Sequence, residues 1–138
     1  KDTATARRLW QACLDADISP AVDRTAHVRL AGADDDAINR AFSPGEERTS
    51  LAALAGSSSW AGRYLLGRRL QLLGDDAAAL PHLEAVLAQP VPDSVREETL
   101  RLTIAASFLV GDCARVRALA ADRPRHRDWA ERCETTAR

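Results

Sequence analysis

The side chains that most often carry catalysis are dispersed along this sequence. His27, His82 and His126 lie far apart, and the chain contains no H-E-x-x-H motif, no G-x-S-x-G motif and no cysteine–histidine cluster with metal-ligand spacing. Lys1 is the only lysine, which excludes phosphate-loop, kinase-type and Schiff-base lysine chemistry in this chain. We therefore expect no enzymatic activity, no cofactor and no metal site.

Acidic residues occur in short runs, and each run lies at the start of a predicted helix. The runs are 34–36, 46–47, 75–76 and 97–98. Negative charge at a helix N-terminus is stabilised by roughly 0.3 to 1 kcal/mol through the helix dipole. This role explains the carboxylates without a divalent metal or a paired acid and base.

The three cysteines, Cys13, Cys113 and Cys133, are odd in number, form no C-x-x-C motif and lie within helical patterns beside apolar residues. We predict that they are unpaired and buried as small apolar side chains. This prediction favours a cytoplasmic location, although an extracytoplasmic domain of a membrane protein with reduced cysteines stays an alternative.

Basic residues are dense only in the stretch 123–127, which we interpret as a solvated face, with a junction to a neighbouring domain or an acidic membrane surface as the alternative. Nineteen basic and twenty acidic residues leave a net charge of −1, and no aromatic side chains are interleaved with the basic ones. Nucleic-acid binding is therefore not expected. The apolar runs are far shorter than the roughly 18 residues of a spanning helix, so we expect no membrane insertion by this chain.

The elements that must position any site are predicted to be helices. Hydrophobic residues make up 46% of the chain, β-branched and aromatic residues are sparse, and alanine, leucine and arginine are abundant. Ser19-Pro20 and the capping boxes at 43–46 and 94–97 begin three of the predicted helices. The predicted helices span about 2–16, 20–32, 35–42, 43–56, 59–74, 75–88, 93–110, 112–120 and the residues after 124. Helices with such short connections pack antiparallel to their neighbours.

One segment of the chain repeats after 37 residues: 72–75, Leu-Leu-Gly-Asp, corresponds to 109–112, Leu-Val-Gly-Asp. Each copy places a glycine able to close one helix before an aspartate able to cap the next. The same turn at a fixed spacing favours stacked helix hairpins. A compact helical bundle without repeats is the alternative.

Around the first copy the chain resembles the tetratricopeptide repeat (TPR) family. The resemblance is carried by Leu66-Gly67, Leu70, Gly74, Ala79, Leu83, Val86-Leu87 and Pro90. It implies an all-α fold of antiparallel helix hairpins stacked as a short right-handed superhelix. The implied organisation is one helical-repeat domain over 1–138, with degenerate hairpins in 1–56, the best repeat in 57–91, a second repeat in 92–122 and a capping helix with a tail in 123–138.

The resemblance also implies a site on the concave face of the stack, which the first helix of each hairpin lines. The implied binding residues are Tyr64, Arg68, Gln71, Arg101 and Phe108. Their aromatic rings and guanidinium groups are suited to a peptide, including its carboxylates. We therefore predict a non-catalytic protein–protein interaction scaffold that binds a peptide or a partner domain.

The alternative to this scaffold is a spacer or accessory domain of a larger membrane-anchored or regulatory protein, with no ligand in the groove. The arginine and alanine content is typical of a GC-rich bacterial genome, and the chain contains no methionine, even at position 1. We expect it to be a fragment of a longer bacterial protein.

Overall fold

The computed structural model describes residues 3–43, 45 and 49–136, and all regular structure in those residues is helical. The α-helices are α1 (Thr3–Ala16), α2 (Pro20–Ala31), α3 (Asp36–Ala41), α4 (Thr49–Ala55), α5 (Trp60–Leu72), α6 (Asp76–Leu87), α7 (Asp93–Leu109), α8 (Cys113–Ala120) and α9 (Arg127–Thr136). A 3-10 turn, Pro124–His126, precedes α9. The predicted all-α class is confirmed.

Most helices begin at the polar residues that the sequence indicates. The Ser19 hydroxyl accepts a hydrogen bond from the amide of Val22, and Pro20 occupies the first helical position of α2. Ser59 caps α5 in the same way by accepting from the amide of Gly62. The predicted capping box at 43–46 and the acidic pair at 46–47 include residues that lie outside the described part of the chain.

The predicted capping box at 94–97 is wrong. Helix α7 begins at Asp93, where the predicted span of 93–110 begins, but it follows Pro92 and no side chain caps it. Pro92 has φ −57° and ψ 148°, so its own extended backbone turns the chain into the helix before Ser94 is reached. The Ser94 hydroxyl thus lies inside the first turn, where it has no hydrogen-bond partner.

The two Gly-Asp turns have the same geometry, as predicted. Gly74 has φ +85° and Gly111 has φ +82°, the left-handed region in which glycine has no steric penalty. In each turn the aspartate amide donates to the carbonyl five positions earlier at 2.9 Å, which is the Schellman closure of a helix. The carboxylates of Asp75 and Asp112 then accept from the amides three residues later. The two turns therefore close one helix and begin the next in the same way.

Helices that are neighbours in the sequence pack against each other. Helix α6 packs against both α5 and α7, α8 packs against both α7 and α9, and α5 and α7 also contact each other. Gly67 allows α5 to lie close to α6, because a Cβ atom there would meet the Leu83 side chain at 2.8 Å. The main core joins all helices from α2 to α7 and includes Val28, Ile38, Leu54, Tyr64, Leu66, Leu83, Val86 and Val95.

The N-terminal hairpin covers one side of these paired helices. Helix α2 contacts both α5 and α7, and Val28 of α2 is fully buried in the main core. Helix α1 packs on α2 and has no buried residue. The face shared by α5 and α7 is therefore covered in part by the chain itself.

A second, smaller core forms between the last three helices, and it contains a disulfide between Cys113 of α8 and Cys133 of α9. The prediction of three unpaired cysteines is wrong for this pair, while Cys13 is free. The two residues are 20 positions apart, and the packing of α8 on α9 brings their Cα atoms to 5.5 Å, a distance typical of disulfides. Residue spacing alone did not indicate this approach.

Candidate functional site

The side of α5 and α7 that faces α2 is the face to which the TPR resemblance assigns binding. Arg24 of α2 lies 3.8 Å from the Glu98 carboxylate of α7. A cavity of about 90 Å³ lies beside this pair and is also lined by Phe42, Tyr64 and Arg68. The N-terminal hairpin therefore leaves only a small opening in the middle of the predicted concave face.

Three of the five predicted binding residues take part in packing. The Tyr64 side chain is only 3% exposed, and burial raises its pKa above the ordinary value despite nearby arginines. The Gln71 side-chain amide donates to the Leu102 carbonyl at 3.1 Å, which joins α5 to α7. Phe108 packs edge-to-face on Trp129 of α9, with 5.3 Å between the ring centroids.

The two arginines of the predicted set, Arg68 and Arg101, are exposed. Arg101 donates two hydrogen bonds to the Glu98 carboxylate, one of them at 3.4 Å, and this pairing raises its pKa. Burial alone would raise the pKa of Glu98, but the bond to Arg101 and the charges of Arg24 and Arg68 outweigh burial and lower it. The guanidiniums of Arg24 and Arg101 are thus already paired with Glu98.

A much larger cavity, about 530 Å³, opens on the other side of Arg101, where α2, the start of α7 and the start of α9 meet. We call it the α2–α7–α9 cleft. Its walls are formed by Pro20, Asp23, Arg24, Asp93, Ser94, Glu97, Glu98, Arg101, Arg125, His126 and Trp129. Its volume falls in the range of about 300–1,000 Å³ that is usual for ligand pockets.

Three of the residues that line this cleft each have one side-chain atom that is buried away from solvent and has no hydrogen-bond partner: Oδ1 of Asp23, Oγ of Ser94 and Nε2 of His126. His126 is only 7% exposed, although it belongs to the basic stretch that the sequence analysis interpreted as a solvated face. That interpretation is therefore wrong for His126. Buried polar atoms are almost always paired in folded proteins, so these three atoms beneath the cleft surface are exceptions.

Charged residues of both signs line this cleft. Within the described part of the chain, Asp23, Asp93 and Glu97 form no ion pair, whereas Arg24 and Arg101 share Glu98. Asp93 and Glu97 are exposed and lie one turn apart on α7. With Arg125, the lining has four carboxylates and three guanidinium groups, so its net charge is only −1.

Of the residues that line this cleft, Arg101 is the one that the sequence analysis predicted to bind a partner. Glu97 belongs to the acidic run 97–98, for which the helix dipole was a sufficient explanation, and Asp93, four residues before it, belongs to none of the acidic runs. The contribution of Asp23 depends on α2 lying across α7, a contact between segments about 70 residues apart for which the sequence has no local signal.

In the residues that the structure describes, no group of three or more histidine, cysteine, aspartate or glutamate side chains is arranged to hold a metal ion. None of the described helices combines the length and the apolar character needed to cross a membrane. No protein-family model, curated protein sequence or solved structure matches this chain.

Proposed function

We propose that the chain is a non-catalytic protein-interaction module with a TPR-like arrangement of helix hairpins. The arrangement is supported by the two identical Gly-Asp turns 37 residues apart and by the contacts of α7 with both α5 and α6. In a stacked array each new hairpin contacts both helices of the previous one through its first helix. Helix α9, which packs on α8 and α7, would then be the capping helix.

The observation that carries the proposed function is the open α2–α7–α9 cleft. Its volume of about 530 Å³ lies within the range of ligand pockets. The cleft adjoins Arg101, one of the residues to which the TPR resemblance assigns binding. We therefore place the partner segment along this cleft and beside the exposed Arg68 and Arg101. Tyr64, Gln71 and Phe108 would hold α5, α7 and α9 in position beneath it.

A selection from a randomised linear-peptide library against the isolated chain tests this proposal. The Arg68→Ala/Arg101→Ala variant is expected to keep its helical circular dichroism and to bind the selected peptides at least about tenfold more weakly, because two charged contacts are lost. Arg117→Ala, at an exposed arginine of α8 outside the cleft, is the matched control and is expected to bind normally. Unchanged affinity of the double variant would reject this location of the site.

A spacer domain without a ligand is the second candidate, and the position of α2 favours it. Helix α2 occupies part of the face that a TPR-like module would offer to a partner, as its contacts with α5 and α7 indicate. This function predicts that no peptide is enriched in the selection. The disulfide supports an oxidising compartment for either function, because cytosolic thiols are usually kept reduced.

A further inference from the structure

We propose that the Cys113–Cys133 disulfide is a redox switch: it holds α9 in place, and its reduction releases α9 and removes one wall of the α2–α7–α9 cleft. The release of α9 concerns the fold alone. Its consequence for binding rests on the proposed function and assigns a regulation to that site. Three features of the molecule lead to this switch: how α9 is held, what α9 contributes to the cleft, and how a reductant reaches the disulfide.

Helix α9 buries very little of its own surface. Of residues 127–135, Cys133 is the one that is buried, while two are half-buried and six are exposed. The small core beneath α9 has three buried residues, Ile104, Val116 and Cys133. The buried side chain that α9 contributes to this core is therefore itself half of the disulfide, which makes the disulfide a principal attachment of α9.

Once the disulfide is reduced, α9 has little that keeps it folded and docked. A helix of ten residues is marginal in water on its own. Trp129 still contacts Phe108 edge-to-face, but one aromatic pair is a weak attachment. The main core, as far as the structure describes it, lies in α2 to α7 and includes no residue of α9. We therefore expect reduction to release α9 while α2 to α7 stay folded.

The release of α9 would remove one side of the cleft. Trp129 of α9 lines it and is the largest apolar side chain of the lining, and Arg125 and His126 lie in the turn directly before α9. Aromatic side chains often contribute strongly to binding, so a peptide in the cleft would lose important contacts with Trp129. A change between disulfide and thiols acts as a switch where it biases an element with two arrangements, which here are α9 docked and α9 released.

One of the two cysteines lies closer to solvent than the other. Cys113, the first residue of α8, is half-buried, whereas Cys133 is fully buried. A thiolate of a dithiol reductant attacks Sγ of Cys113, the S–S bond breaks, and Sγ of Cys133 leaves with the electron pair and takes up a proton. The second thiol of the reductant then displaces the Cys113 thiol from the mixed disulfide. The reductant ends as its own disulfide, having given two electrons and two protons to the protein.

The test follows α9 in the isolated chain before and after reduction with dithiothreitol. Hydrogen exchange measured by NMR reports the protection of each amide. We expect the amides of α9 to exchange at least about a hundredfold faster after reduction, because a disulfide across a separation of 20 residues favours the closed state by about this factor. The amides of α5, α6 and α7 are expected to keep their protection.

Peptide binding is measured on the same two forms of the chain. A library-selected peptide is expected to bind the reduced chain at least about tenfold more weakly, because the wall that contains Trp129 is lost. Reduction leaves every side chain in place, so it tests the release of α9 without creating a cavity by substitution.

Two variants tie the effect to this disulfide. Cys113→Ala/Cys133→Ala cannot form it, so its α9 amides are expected to exchange fast both with and without dithiothreitol. Cys13→Ala is the matched control, because Cys13 is free and lies in α1. The control is expected to respond to dithiothreitol as the unaltered chain does.

Unchanged protection of α9 in the fully reduced chain would overturn the inference. A loss of protection throughout the chain would overturn it too, because the disulfide would then stabilise the whole fold, as would a disulfide that dithiothreitol reduces only after denaturation. Fast exchange of α9 with undiminished peptide binding would overturn the regulation of the cleft while the proposed function stands. If α9 is released but no library peptide binds either form, the proposed function fails and the release of α9 stands.

Discussion

Replacing Gly67 by alanine probes the close contact between α5 and α6. An added Cβ atom would lie 2.8 Å from Cδ2 and 2.9 Å from Cγ of Leu83, whose side chain is fully buried and cannot easily move away. Overpacking of this kind costs about 1–3 kcal/mol. Alanine in place of glycine within a helix contributes about 1 kcal/mol in the opposite direction. We therefore expect Gly67→Ala to lower the free energy of unfolding by about 1 kcal/mol.

A double-mutant cycle with Leu83→Ala separates the two effects. Leu83→Ala alone is expected to cost about 2–5 kcal/mol because it empties a core position. It also removes the two closest atoms that Gly67→Ala would meet and leaves the backbone nitrogen of residue 83, at 3.4 Å. Gly67→Ala in that background should therefore gain the helix propensity of about 1 kcal/mol instead of losing stability. The expected coupling between the two sites is about 2 kcal/mol.

Urea denaturation followed by circular dichroism measures all four free energies of unfolding. Gly56→Ala is the control, because a Cβ atom there would meet only the Ala53 carbonyl oxygen at 3.6 Å, an ordinary contact. It is expected to change stability by less than about 0.5 to 1 kcal/mol. If Gly67→Ala stabilises the unaltered chain by about 1 kcal/mol and shows no coupling to Leu83→Ala, the close packing of α5 on α6 is refuted.

Three further predictions concern the turns, the disulfide and the tyrosine. Gly74→Ala and Gly111→Ala are each expected to destabilise the chain by about 1–3 kcal/mol, because both residues have positive φ. Unequal melting temperatures of the two variants would contradict a shared turn geometry. Replacing Cys113 and Cys133 by alanine is expected to lower the free energy of unfolding by about 3 kcal/mol, because the disulfide links residues 20 positions apart. Added reductant should have no further effect on the unfolding of this variant. Tyr64, the single tyrosine, is expected to ionise above pH 10 in the folded chain, because burial raises its pKa. An unfolded chain would release this proton at lower pH, so the free energy of unfolding should fall as pH rises beyond 10. If the absorbance of Tyr64 titrates at the same pH in the folded chain as in denaturant, the raised pKa is contradicted.

Features that depend on neighbouring residues could be predicted from the sequence. The Gly-Asp turns at 74–75 and 111–112 were found because glycine at positive φ and aspartate at a helix start act within a few residues of each other. The Ser19-Pro20 start of α2 is local in the same sense. The start of α7 at 93 was predicted correctly, but the expected serine cap is absent because Pro92 supplies the extended backbone that precedes the helix.

Features that depend on contacts between distant segments could not be predicted. The pairing of Cys113 with Cys133 requires two short helices to face each other. The odd number of cysteines and the lack of a C-x-x-C motif argued against any disulfide. The buried His126 and the role of Asp23 in the cleft depend on how α9 and α2 lie against α7. Of the predicted binding residues, Arg101 borders the cleft, and Tyr64, Gln71 and Phe108 take part in packing.

Amide chemical-shift mapping of the isolated chain with a library-selected peptide tests the central claim most directly. The claim is that partner binding takes place in the α2–α7–α9 cleft. We expect the largest shifts at the start of α2, the first half of α7 and the start of α9, around Asp23, Glu97 and His126. Shifts confined to the outer helices α6 and α8 would contradict this.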